Sequence, residues 1–243
     1  MLTGASLKQS IGGKLRIKVA LILGATLALC GALQAATTYT YEFGGLGGDL
    51  GSSTHAFAPT NGPGPNITAH GFKPGFASNV FAVDLYSKGN PGDESGLGLT
   101  NDPSHENEIT VGSFVMLDMG SLSIATLSTE STTNGEKWEI WGSNTAAIAN
   151  SSYTIPSSNG IGVLTGTSEG DQNVSSLKGD RYIFVTALDY YSGDRKITDG
   201  NILICGVTAT DAPEPASAGL LGLALLTSGF LFRSRFSKKA QKA

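Results

Sequence analysis

The sequence predicts an all-β fold, an antiparallel β-sandwich of jelly-roll type, on three observations. Between Thr37 and Asp211 the apolar residues fall in short alternating or continuous runs, with no 3.6-residue period. These runs are separated by Gly, Pro, Asn, Asp or Ser in a chain with 33 glycines, 9 prolines and only 15% charged residues, which disfavours a charged helical bundle. The gaps between runs are also too short for the crossover helices of a parallel sheet.

Taken in order, the pattern predicts strands at Thr38–Phe43, Thr54–Ala58, Ile67–Phe72, Val80–Tyr86 and Glu108–Met119. It continues with Leu122–Leu127, Lys137–Gly142, Ile161–Thr165, Arg181–Leu188 and Asn201–Thr210. Gly44–Ser53 and Pro59–Asn66 read as turns and loops. The first follows a strand, as a dinucleotide-binding loop would. Leu50 nevertheless stands where the last glycine is needed, and no helix follows. A body of about 175 residues is long enough to bury a sizeable core.

The two ends have a different character. Residues 1–18 carry Lys8, Lys14, Arg16 and Lys18 and no acid, and the apolar run Val19–Leu33 then closes on Gln34-Ala35-Ala36. That is the pattern of a secretory signal peptide, residues 1–36, with cleavage after Ala35 or Ala36. A retained anchor is the alternative, but 15 apolar residues followed by small ones are short for a span. At the other end, Ala216–Phe232 is a charge-free run of 17 residues, about 26 Å as a helix and so a short transmembrane segment. Arg233, Arg235, Lys238, Lys239 and Lys242 follow it with no acid among them, a cluster that stays on the cytoplasmic side.

Subtracting these ends changes the electrostatics. Of 16 bases, nine lie in the terminal segments, so residues 36–215 keep seven against all 20 acids, a charge of −13. Such a body does not bind nucleic acid, which needs a basic surface. One cysteine, Cys205, remains after signal removal, so no disulfide within the chain is expected. In its apolar run it reads as a small buried hydrophobe.

Before the second apolar run stands Ala212-Pro213-Glu214-Pro215, an extended, non-helical stretch at the membrane boundary. Pro213, Glu214 and Pro215, then a short glycine- and leucine-rich helix, then a basic tail, resemble the PEP-CTERM sorting signal over residues 212–243. The resemblance implies processing by exosortase, an inner-membrane transpeptidase of Gram-negative bacteria. It further implies export, transient anchoring in the inner membrane, and a final place on the cell surface or in an exopolysaccharide-rich biofilm matrix.

The densest polar constellation in the body is Asp93-Glu94-Ser95-Gly96-Leu97-Gly98-Leu99 with Asp102, Glu106 and Glu108. Five carboxylates fall within 16 residues, and no lysine or arginine occurs from Gly89 to Glu136. Oxygen ligands on a glycine-bearing loop suit a structural calcium ion, for which Asp93, Glu94, Asp102, Glu106 and Glu108 are the candidates; a solvated acidic loop is the alternative. Together with Leu85-Tyr86-Ser87-Lys88 before it and Glu108-Ile109 after it, this stretch resembles the body of many uncharacterised PEP-CTERM surface proteins. That resemblance implies no catalytic residue.

Catalysis is not expected. Gly166-Thr167-Ser168-Glu169-Gly170 matches a nucleophile elbow, but a polar, helix-poor stretch follows it, and His55, His70 and His105 all precede it. The motif therefore reads as a hairpin turn. Alternation in Trp138-Glu139-Ile140-Trp141 puts Trp138 with Ile140 on one face and Glu139 with Trp141 on the other. With Ile140 inward, Trp141 is a candidate platform for stacking on a sugar ring, as are Tyr190 and Tyr191. The alternative for Trp141 is packing beneath a loop or against a neighbouring strand. The leading expectation is a non-enzymatic surface or matrix protein; the second is a carbohydrate-binding module acting in that matrix.

Overall fold

The computed structural model describes residues 36–211, except 76–78, 90–93, 101–105, 133–134, 155–161, 193–194 and 198–199. Residues 1–35 of the predicted signal, Pro213-Glu214-Pro215, the predicted transmembrane run 216–232, the basic tail, Asp93 and Asp102 lie outside the described residues, as do the side chains of Tyr190 and Tyr191. Thr37–Ala212 is one compact unit.

Its first strands are β1 (Thr38–Glu42), β2 (Gly48–Asp49), β3 (Thr54–Phe57), β4 (Ile67–Pro74), β5 (Asn79–Ala82) and β6 (Leu85–Lys88). Next come β7 (Gly96–Leu99), β8 (Ile109–Thr110), β9 (Phe114–Asp118), β10 (Leu122–Glu130), β11 (Lys137–Ser143) and β12 (Ser151–Ser152). The last are β13 (Val163–Gly166), β14 (Gly170–Asn173), β15 (Tyr182–Leu188), β16 (Tyr190–Ser192), β17 (Arg195–Ile197) and β18 (Asn201–Asp211). A 3-10 turn at Ser175–Leu177 is the one helical element among the described residues.

The described residues are therefore all-β, and their strands form two antiparallel sheets. The first runs β14-β10-β18-β7-β6-β2, with β1 and β8 also paired to β18; the second runs β12-β5-β4-β9-β15-β11-β13, with β3 paired to β4. Strands β16 and β17 make a separate hairpin. Period-2 alternation explains how the sheets meet. Ile67, Ala69, Val115, Leu117, Ile140, Ile183 and Val185 of the second sheet join Leu85, Leu97, Ile124, Leu127, Ile204 and Val207 of the first in one buried cluster.

Two predicted strands are each divided. Val80–Tyr86 breaks at Val83-Asp84, so that β5 lies in the second sheet and β6 in the first. Glu108–Met119 breaks at 111–113, where Gly112 takes φ +85°, and there the chain leaves β8 beside β18 and enters β9 in the other sheet. A continuous apolar run does not record which sheet each half joins. Conversely, Gly96–Leu99 and Gly170–Asn173, read as loop and turn, are strands β7 and β14. Their glycine and polar content hid them.

Candidate functional site

The acidic motif folds into a clasp. Lys88 ends β6, and the β6–β7 hairpin pairs it with Gly96, which brings its ammonium back over the carboxylates. Lys88 Nζ donates to Glu94 Oε2 at 3.1 Å and to Glu108 Oε1 at 2.5 Å. Ser131 Oγ donates to the other Glu108 oxygen at 2.8 Å, and the Ser95 amide donates to Glu130 Oε2 at 2.8 Å. Glu108 is only 2% exposed. Burial pushes its carboxyl up, against the bonds from Lys88 and Ser131. Glu106 stands apart and accepts from Asn201 Nδ2 at 2.6 Å.

Of the candidate calcium ligands, then, Glu94 and Glu108 converge on an ammonium and Glu106 does not join them. No group of three or more His, Cys, Asp or Glu suited to a metal occurs among the described residues. Lys88 adjoins the motif in sequence, but it sits one position before the base-free stretch, so its role as the counter-ion was not legible there. The motif's glycines have a packing reason. A Cβ on Gly98 would stand 1.9 Å from the Asn107 carbonyl oxygen, and one on Gly96 would stand 2.8 Å from that of Ile204. Here the motif joins β6, β7 and the approach to β8 into one unit.

Trp141 does face away from Ile140, as alternation requires, yet it is 2% exposed and offers no surface for a sugar. It stacks on Phe184 with ring centroids 5.1 Å apart and planes 7° apart, and its Nε1 donates to the Tyr153 hydroxyl at 3.1 Å. Phe72, Val80, Phe114, Met116 and Ala147 complete this second apolar cluster. The chain from Asn144 to Tyr153 roofs it, with the Ala147 amide 3.3 Å from Met116 Sδ. The outer face of the second sheet is thus a second core.

Glu139 shares that face and is 1% exposed, and neither of its carboxylate oxygens has a hydrogen-bond partner among the described residues. Its cross-strand neighbours are Thr165 on β13 and Thr186 on β15, and the Thr186 hydroxyl already donates to the Ser113 carbonyl at 2.6 Å. Burial alone pushes the Glu139 carboxyl up to about 7.

The segment Gly166–Gly170 is not a hairpin, because β13 and β14 pair in different sheets; it is a connection between them. The Ser168 carbonyl accepts from Trp138 Nε1 at 3.0 Å and from Thr129 Oγ1 at 3.3 Å, one from each sheet. Ser168 Oγ donates to Gln172 Oε1 at 3.1 Å, and no described histidine bonds it. His70 Nδ1 lies 3.0 Å from Thr54 Oγ1, and His55 packs edge-on to Phe57. Asp118, on the same face as His70, accepts from Arg181 Nε and Nη2, each at 2.9 Å.

The outer face of the first sheet is open. Antiparallel register lines up Thr38, Thr210 and Ser123 in one row, and Thr40, Thr208, Thr126 and Asn173 in the next. A third row holds Glu42, Gly206, Ser128 and Asp171. At its middle lies a shallow depression of about 220 Å³, whose lining includes Thr126, Ser128, Asp171, Cys205 and Thr208. Cys205 is half-buried rather than buried. Its thiol is held well above the ordinary range, first by burial and then by the carboxylates of Glu130, Glu169 and Asp171. The sequence signal for this face was present as Thr-x-Thr at 38–40 and 208–210 and Thr-x-Ser at 126–128. Comparison with protein-family models, curated proteins and solved structures finds no match for the chain.

Proposed function

We propose that this chain is a non-enzymatic exported protein of the cell surface or extracellular matrix, released from the inner membrane by exosortase and associated with exopolysaccharide. The observation that carries this reading is the fixed order at residues 212–243: Pro213-Glu214-Pro215, the apolar run Ala216–Phe232, then five bases without an acid. The bases hold the helix against translocation, and the prolines present unpaired backbone to a membrane protease just outside the bilayer. The signal segment 1–36 supplies entry to the export route. Passage of the chain between sheets at β9, β10, β11, β14, β15 and β18 supports a jelly-roll arrangement of the sandwich.

Mass spectrometry of the protein recovered from the cell surface tests the reading. The expected product begins near Thr37 and ends near Pro215. Recovery of a surface form that retains Phe232 to Lys242 would overturn it.

A further inference from the structure

We propose that the open face of the first sheet binds a cationic, polyhydroxylated chain, a polymer of amino sugars with free ammonium groups. This deepens, and rests on, the reading of the chain as a matrix protein. Charge selects the class. Glu42 on β1 and Asp171 on β14 close the two ends of one row, and Glu130 and Glu169 stand near Cys205. No lysine or arginine lines the depression between them. Such a surface attracts ammonium groups and repels uronates, phosphates and sulfates.

Hydroxyls select the rest of the ligand. The side chains of Thr126, Ser128 and Thr208 make no hydrogen bond among the described residues, so each hydroxyl is free to donate and accept. Sugar hydroxyls need partners of that kind. Shape then favours a polymer over a small molecule. A depression of about 220 Å³ is below the roughly 300–1,000 Å³ of a cleft that encloses a small ligand. Two of the rows cross four strands set about 4.8 Å apart. One unit of a chain can enter the depression while its neighbours lie along the rows. Tyr41, the aromatic residue in the lining, keeps its ring in the core, so attraction comes from charge and hydroxyls and is screened by salt.

The test titrates the purified full-length chain with glucosamine oligomers, with their fully N-acetylated equivalents and with oligogalacturonate, at low and high salt. Glucosamine oligomers should bind at low salt, and N-acetylation or Glu42→Gln with Asp171→Asn should each weaken binding about tenfold. A control of equal charge change outside the strands of the first sheet, Asp84→Asn with Asp180→Asn, should change it less than about twofold. Absence of binding, equal affinity for the acetylated oligomers, capture of oligogalacturonate, or an equal loss in the control would overturn the inference. Circular dichroism of both double variants keeps a folding defect distinct from a lost contact. Cell fractionation that placed the chain outside the matrix would sink the underlying reading, while the titration would still decide the surface.

Discussion

The outer faces of the two sheets obey the same alternation and have opposite fates. On the second sheet Phe72, Phe114, Trp141 and Phe184 point outward and are covered by the chain from Asn144 to Tyr153. On the first, Thr40, Thr126 and Thr208 point outward, and none of them is buried. Alternation assigns side chains to two faces but does not say that one of them meets water. The composition of the outward set decides that. Large aromatics require a roof, whereas short hydroxyls on a pleated surface do not.

The largest expected effect breaks the roofed face. Trp141→Ala removes the ring that stacks on Phe184 and donates to the Tyr153 hydroxyl, and it should cost about 3–5 kcal/mol, read as a shift in the denaturant midpoint. A loss below about 1 kcal/mol would mean that the roof collapses freely onto the gap, and that the second core is not a packed one.

Glu139 sharpens the comparison, since the same roofed face holds a carboxyl with no hydrogen-bond partner among the described residues. Its pKa rises from 4.5 when unfolded to about 7 when folded, so the folded state binds the proton more tightly. The contribution is fully present below pH 4.5 and lost as pH passes 7, a fall of about 3 kcal/mol. Denaturant midpoints at pH 5 and pH 8 should show this fall in the parent, and Glu139→Gln should lack it. Identical pH dependence in the two proteins would place the carboxyl in contact with solvent or a partner.

Smaller effects belong to the open face. Thr126→Val and Thr208→Val exchange solvated hydroxyls for methyls on a sheet surface, and each should change stability by no more than about 0.5 kcal/mol. A loss above about 1 kcal/mol would show that these hydroxyls are structural and not free for a ligand. The smallest effect concerns the clasp at the end of this sheet. With Lys88 already between Glu94 and Glu108, chelator should leave the melting temperature unchanged. A clear drop would restore calcium to the acidic motif.

The fold class was legible because short apolar runs punctuated by glycine and proline leave few other solutions. Boundaries were legible where a run stays in one sheet, as in β15, and illegible where it changes sheets without changing composition, as at Val83-Asp84. The clasp was hidden for a different reason. Its cation precedes the acidic stretch, and only the hairpin register returns it. For Trp141 both the face and the alternative of burial under a loop could be read, but the choice depended on Phe114 and Phe184, which are distant in sequence. Glu139 carried no signal, because a carboxylate in alternation with tryptophans is ordinarily read as the wet side of a strand.

Strand β18 pairs with β1, β7, β8 and β10, and in sequence it follows every other described strand. Its pairing with β1 joins Thr38 to Thr210, and the Tyr39 hydroxyl reaches Asp211 across 172 residues. The first sheet therefore has no centre until the end of the body has been delivered. Whatever emerges from a ribosome before residue 201 can form local hairpins such as β6–β7, but it cannot close the sandwich. The order of synthesis thus leaves the sandwich open until almost all of the body has been made. It also sets the moment of folding close to the moment at which residues 212–243 arrive.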